Sequence, residues 1–193
     1  MKFFQSIVKR WWVIITILAV TVIFTLLFTN GQTPIYSSAA TFVVSPASEV
    51  LDENSFLSGL AVLGGQPTVA NTYASIATSA YVKQKASEAL GLTPAQAAGL
   101  SVFSRVRTGT NVIEISVEGT DPLLVQTFAH KIGESTIDYI SNLKGVYDLK
   151  PLDDAASPDK PIRPNKSLYL ILGTSLGLAL GGGIAFIMGL NEY

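Results

Sequence analysis

The chain has 193 residues, 48% of them hydrophobic and only 14% charged, against ~25% charged in ordinary soluble domains, so its mean hydropathy of +0.40 points to membrane segments. Thirteen basic against fourteen acidic residues leave a net charge of -1, without the basic excess that a nucleic-acid binder sets against phosphates. The absence of cysteine excludes disulfides, thiolate nucleophiles, Cys-ligated zinc and iron–sulfur clusters, and a single histidine, His130, excludes a multi-His metal site.

Residues 1–10 form a short basic stub carrying Lys2, Lys9 and Arg10. The next stretch, 11–29, reads WWVIITILAVTVIFTLLF from Trp11 to Phe28 without a charge. At ~1.5 Å per residue it matches a hydrocarbon core of roughly 30 Å. Trp11 and Trp12 sit where an aromatic belt lies, and the preceding positive charges place the N-terminus on the cytoplasmic side. A cleaved signal peptide is the competing reading. Its basic start fits, but the apolar core exceeds the usual ~7–15 residues, and the nearest small-residue site, Ser38-Ala39-Ala40, lies too far downstream.

Residues 30–157 are expected to form a water-facing domain outside the membrane. Ile35 to Ser45 is rich in β-branched and aromatic residues and stops at Pro46, so it reads as a strand. A short helix is expected over Ser55 to Leu63. A longer one is expected over Thr68 to Leu90, with Val69, Tyr73, Ile76 and Ala80 at helical spacing and Gly91 in the position that favours a left-handed backbone. Thr93-Pro94-Ala95-Gln96 is a capping-box start. Leu100 to Arg107 and Asn111 to Glu118 read as two strands joined by Thr108-Gly109-Thr110. Ile113, Ile115 and Val117 alternate there with Glu114, Ser116 and Glu118. Asp121-Pro122 opens a long helix ending before Gly145, with Val125, Phe128, Ile132, Tyr139 and Leu143 as its apolar stripe. Val146 to Leu152 reads as a last strand. The order βαββαβ is that of a ferredoxin-like α+β domain. Its first and last strands would be antiparallel neighbours, so both ends of the domain would leave from one edge.

The segment 158–167 carries Pro158, Pro161 and Pro164 at the polyproline II period, with Lys166 at the membrane edge, and is expected to be a stiff tether. A second uncharged stretch, 168–190, is long enough to span with some tilt. Within it Gly173, Gly177 and Gly181 recur every four residues on one helix face, a spacing that lets helix backbones approach closely in lipid. This face is expected to pack helices together and to support self-assembly. Residues 191–193 return to the cytoplasm. Lys160, Arg163 and Lys166 then flank the second span on the outer side, against the usual charge bias, but the first span dominates orientation.

No constellation for bond-making chemistry emerges, and no cofactor or metal is implied. His130 reads as a helix-surface residue, Glu114 and Glu118 as the wet face of a strand, and Glu134 with Asp138 as exposed helix carboxylates. The glycine run at Gly181 to Gly183 lies inside an apolar span, which disqualifies it as a phosphate loop. The expected cytoplasmic stubs are too short for a kinase or nucleotide site. Function is therefore expected from association and geometry.

A basic stub, a first span running into a strand, a mixed outer domain, and PxxPxxPxK before a Gly-rich second span together resemble the polysaccharide co-polymerases, the Wzz-type chain-length determinant family. The resemblance covers the whole chain, and its proline–glycine part is the more specific. It implies ring-like homo-oligomers in the cytoplasmic membrane that set how many repeat units a polymerase adds to a lipid-linked O-antigen, capsule or exopolysaccharide chain. It also implies, as an alternative, an adaptor that activates a separate cytoplasmic tyrosine autokinase. The expected partners are copies of the chain, membrane lipids, a polysaccharide polymerase and its lipid-linked glycan; nucleic acid is not among them. Larger members carry a very long outer helix. Here the longest expected helix, about Pro122 to Lys144, would extend only ~35 Å, which suits a compact member.

Overall fold

The structure, a computed structural model, describes residues 11–47, 68–143 and 147–190. The expected helix at 55–63 and both terminal stubs lie outside these residues. The chain divides into two units, one holding the two apolar helices (residues 1–34 and 163–193) and one holding the sheet (Ile35–Ile162).

In the helical unit, α1 spans Trp11–Asn30 and α6 spans Lys166–Leu190. Both are long and apolar enough to cross a bilayer. Their large side chains point outward: Phe24 is 68% exposed and Leu27 69%. A helix serving as the core of a soluble domain would bury those groups, whereas a bilayer covers them at no cost. Asn165 starts α6 by accepting the Leu168 backbone N–H on its side-chain oxygen at 3.1 Å.

In the sheet unit the elements are β1 (Tyr36–Pro46), α2 (68–77), α3 (Ala80–Ala89), α4 (Pro94–Ala98), β2 (Ser101–Val106), β3 (Val112–Gly119), α5 (Pro122–Asn142) and β4 (Tyr147–Asp153). The sheet order is β2-β3-β1-β4 with every neighbour antiparallel, the ferredoxin-like topology expected. Alternation sets the faces. Ile113, Ile115 and Val117 are fully buried beside Ala40, Phe42 and Val44 of β1, while Glu114, Ser116 and Glu118 stand on the other side. β4 is an edge strand, which accommodates Pro151 despite its missing N–H.

Local chemistry explains the helix boundaries. Asp121 caps α5 through the N–H groups of Leu123 and Leu124 at 2.9 and 3.3 Å, with Pro122 in the first turn. Thr93 and Gln96 form the capping box of α4. Gly91 and Gly109 adopt φ of 62° and 75° in the turns that need them.

Two expectations are corrected. The single helix over Thr68 to Leu90 is two helices: Ser79 is extended and its hydroxyl accepts the Val82 N–H, so it starts α3 rather than continuing α2. The buried stripe of α5 is Val125, Phe128, Ala129, Ile132, Gly133, Thr136 and Ile140. Tyr139 is only half-buried and Leu143 is 54% exposed. Gly133 lets α5 lie close on Phe42 of β1, Phe128, Ile132 and Ile140 fill the centre of the contact, and Tyr139 and Leu143 mark its flank.

The core joins α2, α3, α5 and one face of the sheet. Tyr73 of α2 is buried, and its hydroxyl donates to the Tyr147 carbonyl of β4 at 2.8 Å. Burial pushes its pKa up, reinforced by Asp148 and Tyr147, so the phenol stays a neutral donor. Tyr73→Phe is expected to cost about 1 kcal/mol, read as a lower melting temperature of the full-length chain in micelles. An unchanged melting temperature would remove this bond from the list of fold determinants.

Candidate functional site

The residues that distinguish this chain are structural, and they lie in two places. The first is the glycine face of α6. A Cβ on Gly173 would strike the Thr25 hydroxyl, and one on Gly177 would strike the Thr21 hydroxyl and come within 3.2 Å of the Leu18 Cα. On Gly181 it would come within 3.1 Å of the Ile14 Cα. The three glycines thus meet successive turns of α1 in reverse order, so the two helices of one chain run antiparallel in close contact. Thr21 and Thr25 turn their hydroxyls back onto the Leu18 and Thr21 carbonyls at 2.9 and 2.7 Å, which satisfies them without water. Gly182 and Gly183, in the same run, face open space.

The second place is where the sheet unit begins and ends. After β4, the Ala155 carbonyl accepts from the Gln126 amide of α5 at 3.1 Å, and the Ala156 carbonyl accepts from the buried Ser38 hydroxyl of β1 at 2.6 Å. The Ile162 N–H then donates to the Ile35 carbonyl at 2.7 Å. The outgoing segment is therefore bound to the incoming strand at successive points. Pro158 is half-buried and Pro161 exposed in this unit. Pro164, half-buried, and Lys166, the first residue of α6, belong to the helical unit. Sequence reasoning missed Ser38, Gln126, Ile35 and Ile162. Hydrogen bonds to backbone carbonyls so distant along the chain, two from side chains and one from a backbone N–H, leave no local signal.

The titratable candidates do not converge. His130 is 54% exposed on α5, with Nε2 3.3 Å from Glu134 Oε1 and Nδ1 3.9 Å from Asp154 Oδ1. Lys131 bonds Glu134 at 2.7 Å; this bond holds the Glu134 carboxyl below its ordinary range and raises the Lys131 ammonium. Glu114, on the open sheet face, accepts from Arg105 Nε and Nη2 at 3.1 and 2.7 Å and from Arg107 Nη2 at 3.4 Å. Both arginines are largely exposed, so this network adds little stability. Among the described residues, no group of three or more His, Cys, Asp or Glu side chains is placed to hold a metal ion.

Residues 1–90 match the family model of the Wzz chain length determinant protein. The capsular polysaccharide biosynthesis protein CpsC of Streptococcus agalactiae, recorded also for a serotype Ia strain, is 30% identical over 126 residues, 64% of this chain and 54% of the relative. A full-length bacterial polysaccharide co-polymerase of solved structure superposes with a TM-score of 0.59, covering 98% of this chain and 97% of that one. The N-terminal half of the chain is similar to the Wzz chain length determinant family. The superposition carries 11% identity, so it speaks for the fold, helices and sheet alike. The chain spans about half the length of the curated relatives it matches. The family match falls in the N-terminal half, whereas the proline–glycine segment that made the resemblance specific lies beyond it.

Proposed function

We propose that this Wzz-like chain is a two-pass protein of the cytoplasmic membrane, with both termini cytoplasmic and the sheet unit outside, that regulates the length and export of a surface polysaccharide. The polymer is an O-antigen, capsule or exopolysaccharide. The chain acts by assembling copies of itself beside a polymerase and its lipid-linked glycan, and makes no bonds itself. One observation carries the reading. The sheet unit returns its outgoing segment to its incoming strand at the Ile162–Ile35 bond, and the chain continues on either side into helices of bilayer length. That is the arrangement a domain anchored through both of its ends requires. The prolines 158, 161 and 164 serve as the stiff link in the second anchor, ending at Lys166. The glycine face at 173, 177 and 181 serves to hold the anchors together.

Surface polysaccharide from a strain lacking the gene is expected to change in modal length or amount on a gel, and the full-length gene is expected to restore both. Unchanged length and amount would end this reading. Crosslinking in native membranes is expected to trap species larger than the monomer; monomer alone would end the self-assembly part.

A further inference from the structure

Between α3 and α5 the surface opens into a groove of about 520 Å³, within the size range of small-ligand sites. Its floor is aromatic. Tyr81 of α3 and Tyr139 of α5 lie 5.3 Å apart between ring centroids, inclined at 57°, and Tyr81 is 54% exposed. Its rim is polar, formed by Ser135, Asp138 and Asn142 of α5 and Lys85 of α3. Among the described residues neither tyrosine hydroxyl has a hydrogen-bond partner. Asn142, which also lines the groove, donates its amide N–H to the Asp138 carbonyl at 2.7 Å.

We infer that this groove binds a pyranose segment of a polysaccharide. A sugar ring has an apolar C–H face and a rim of hydroxyls. The exposed Tyr81 ring beside half-buried Tyr139, flanked by carboxylate, amide and hydroxyl groups, matches that division. Phosphate-bearing ligands fit less well, because the groove's two ammonium groups are engaged: Lys85 lies 3.7 Å from Glu88 and Lys131 bonds Glu134 at 2.7 Å. Lys85 also stands 6.0 Å from the Tyr81 ring centroid and closes that side of the platform.

The inference rests on the proposed role in polysaccharide length control and names the chemistry that this role would touch. Its test uses the full-length chain in nanodiscs and size-fractionated oligosaccharides released by mild acid from the producing cells' own surface polysaccharide. Saturation-transfer NMR is expected to show saturable contact with sugar ring protons. Tyr81→Ala is expected to weaken binding about tenfold, and Asp138→Asn by a smaller factor. Phe103→Ala, on an exposed aromatic of β2, is expected to change nothing. Both groove changes are at the surface, and circular dichroism of each variant confirms that it is folded. No saturable binding, or equal affinity in folded Tyr81→Ala and Asp138→Asn, overturns the groove. The gene-deletion experiment judges the broader role separately: an altered polymer length in the deletion strain with unaltered binding by the groove variants would leave that role standing and remove this site.

Discussion

Replacing Gly177 by leucine is expected to force α1 and α6 apart and to lower the melting temperature of the full-length chain in micelles more than any change on the outer sides of these helices. The reason is what a side chain at 177 meets. Its Cβ would overlap the Thr21 hydroxyl, and the next obstacle, at 3.2 Å, is the Leu18 Cα. A threonine side chain can be shortened, but backbone cannot yield without moving the helix. Gly177→Ala alone is therefore expected to cost about 1–3 kcal/mol, and Thr21→Ala in the same chain to recover most of it. Thr21→Ala should not rescue leucine. Gly182→Ala supplies the control, since a Cβ there meets nothing within 4 Å; it is expected to be neutral or slightly stabilising, as alanine is the better helix former. If Gly177→Ala and Gly182→Ala melt alike, the glycine face does not hold the two helices together.

The spacing of Gly173, Gly177 and Gly181 places them on one helix face from the sequence alone, because a four-residue recurrence needs only one helix to be recognised. What the face meets was not legible. Nothing in the order of residues on α6 says that Thr21, Thr25 and Ile14 of the same chain stand opposite. The sheet was read well for a similar reason: strand alternation at Ile113, Ile115 and Val117 and turn chemistry at Gly109 are local signals. The Ser79 break was missed because apolar periodicity runs through it, while a serine that caps and a serine that merely sits in a helix look the same in sequence. Tyr139 was assigned to the core because aromatic residues at helical spacing usually belong there; instead it pairs with Tyr81 at the groove.

Gly133 shows the same limit inside the sheet unit, and it supports the second large effect. It lies in the middle of α5, where glycine costs a helix about 1 kcal/mol relative to alanine, so helix propensity alone predicts that Gly133→Ala stabilises. The structure predicts that this gain is cancelled or reversed. A Cβ at 133 would run into the Phe42 ring, overlapping Cζ and lying 3.0 and 3.2 Å from Cε1 and Cε2. Phe42 is 5% exposed and belongs to the core on β1, with Ile113 opposite it on β3. The ring has no free volume to retreat into without displacing that layer. Overpacking of this kind costs about 1–3 kcal/mol, which exceeds the propensity gain at its upper end and roughly cancels it at its lower end. Phe42→Leu, which empties part of the same space, is expected to destabilise on its own through lost contact and a residual cavity. The two changes share one volume, so the double variant is expected to be more stable than the sum of the single losses predicts. Unfolding of the four full-length chains in micelles, followed by circular dichroism, measures that coupling. Residues in direct contact couple by about 0.5–3 kcal/mol. Additivity within about 0.5 kcal/mol would mean that α5 rides further from the sheet than the Gly133–Phe42 contact requires, and that glycine holds this position for some reason other than the ring beneath it.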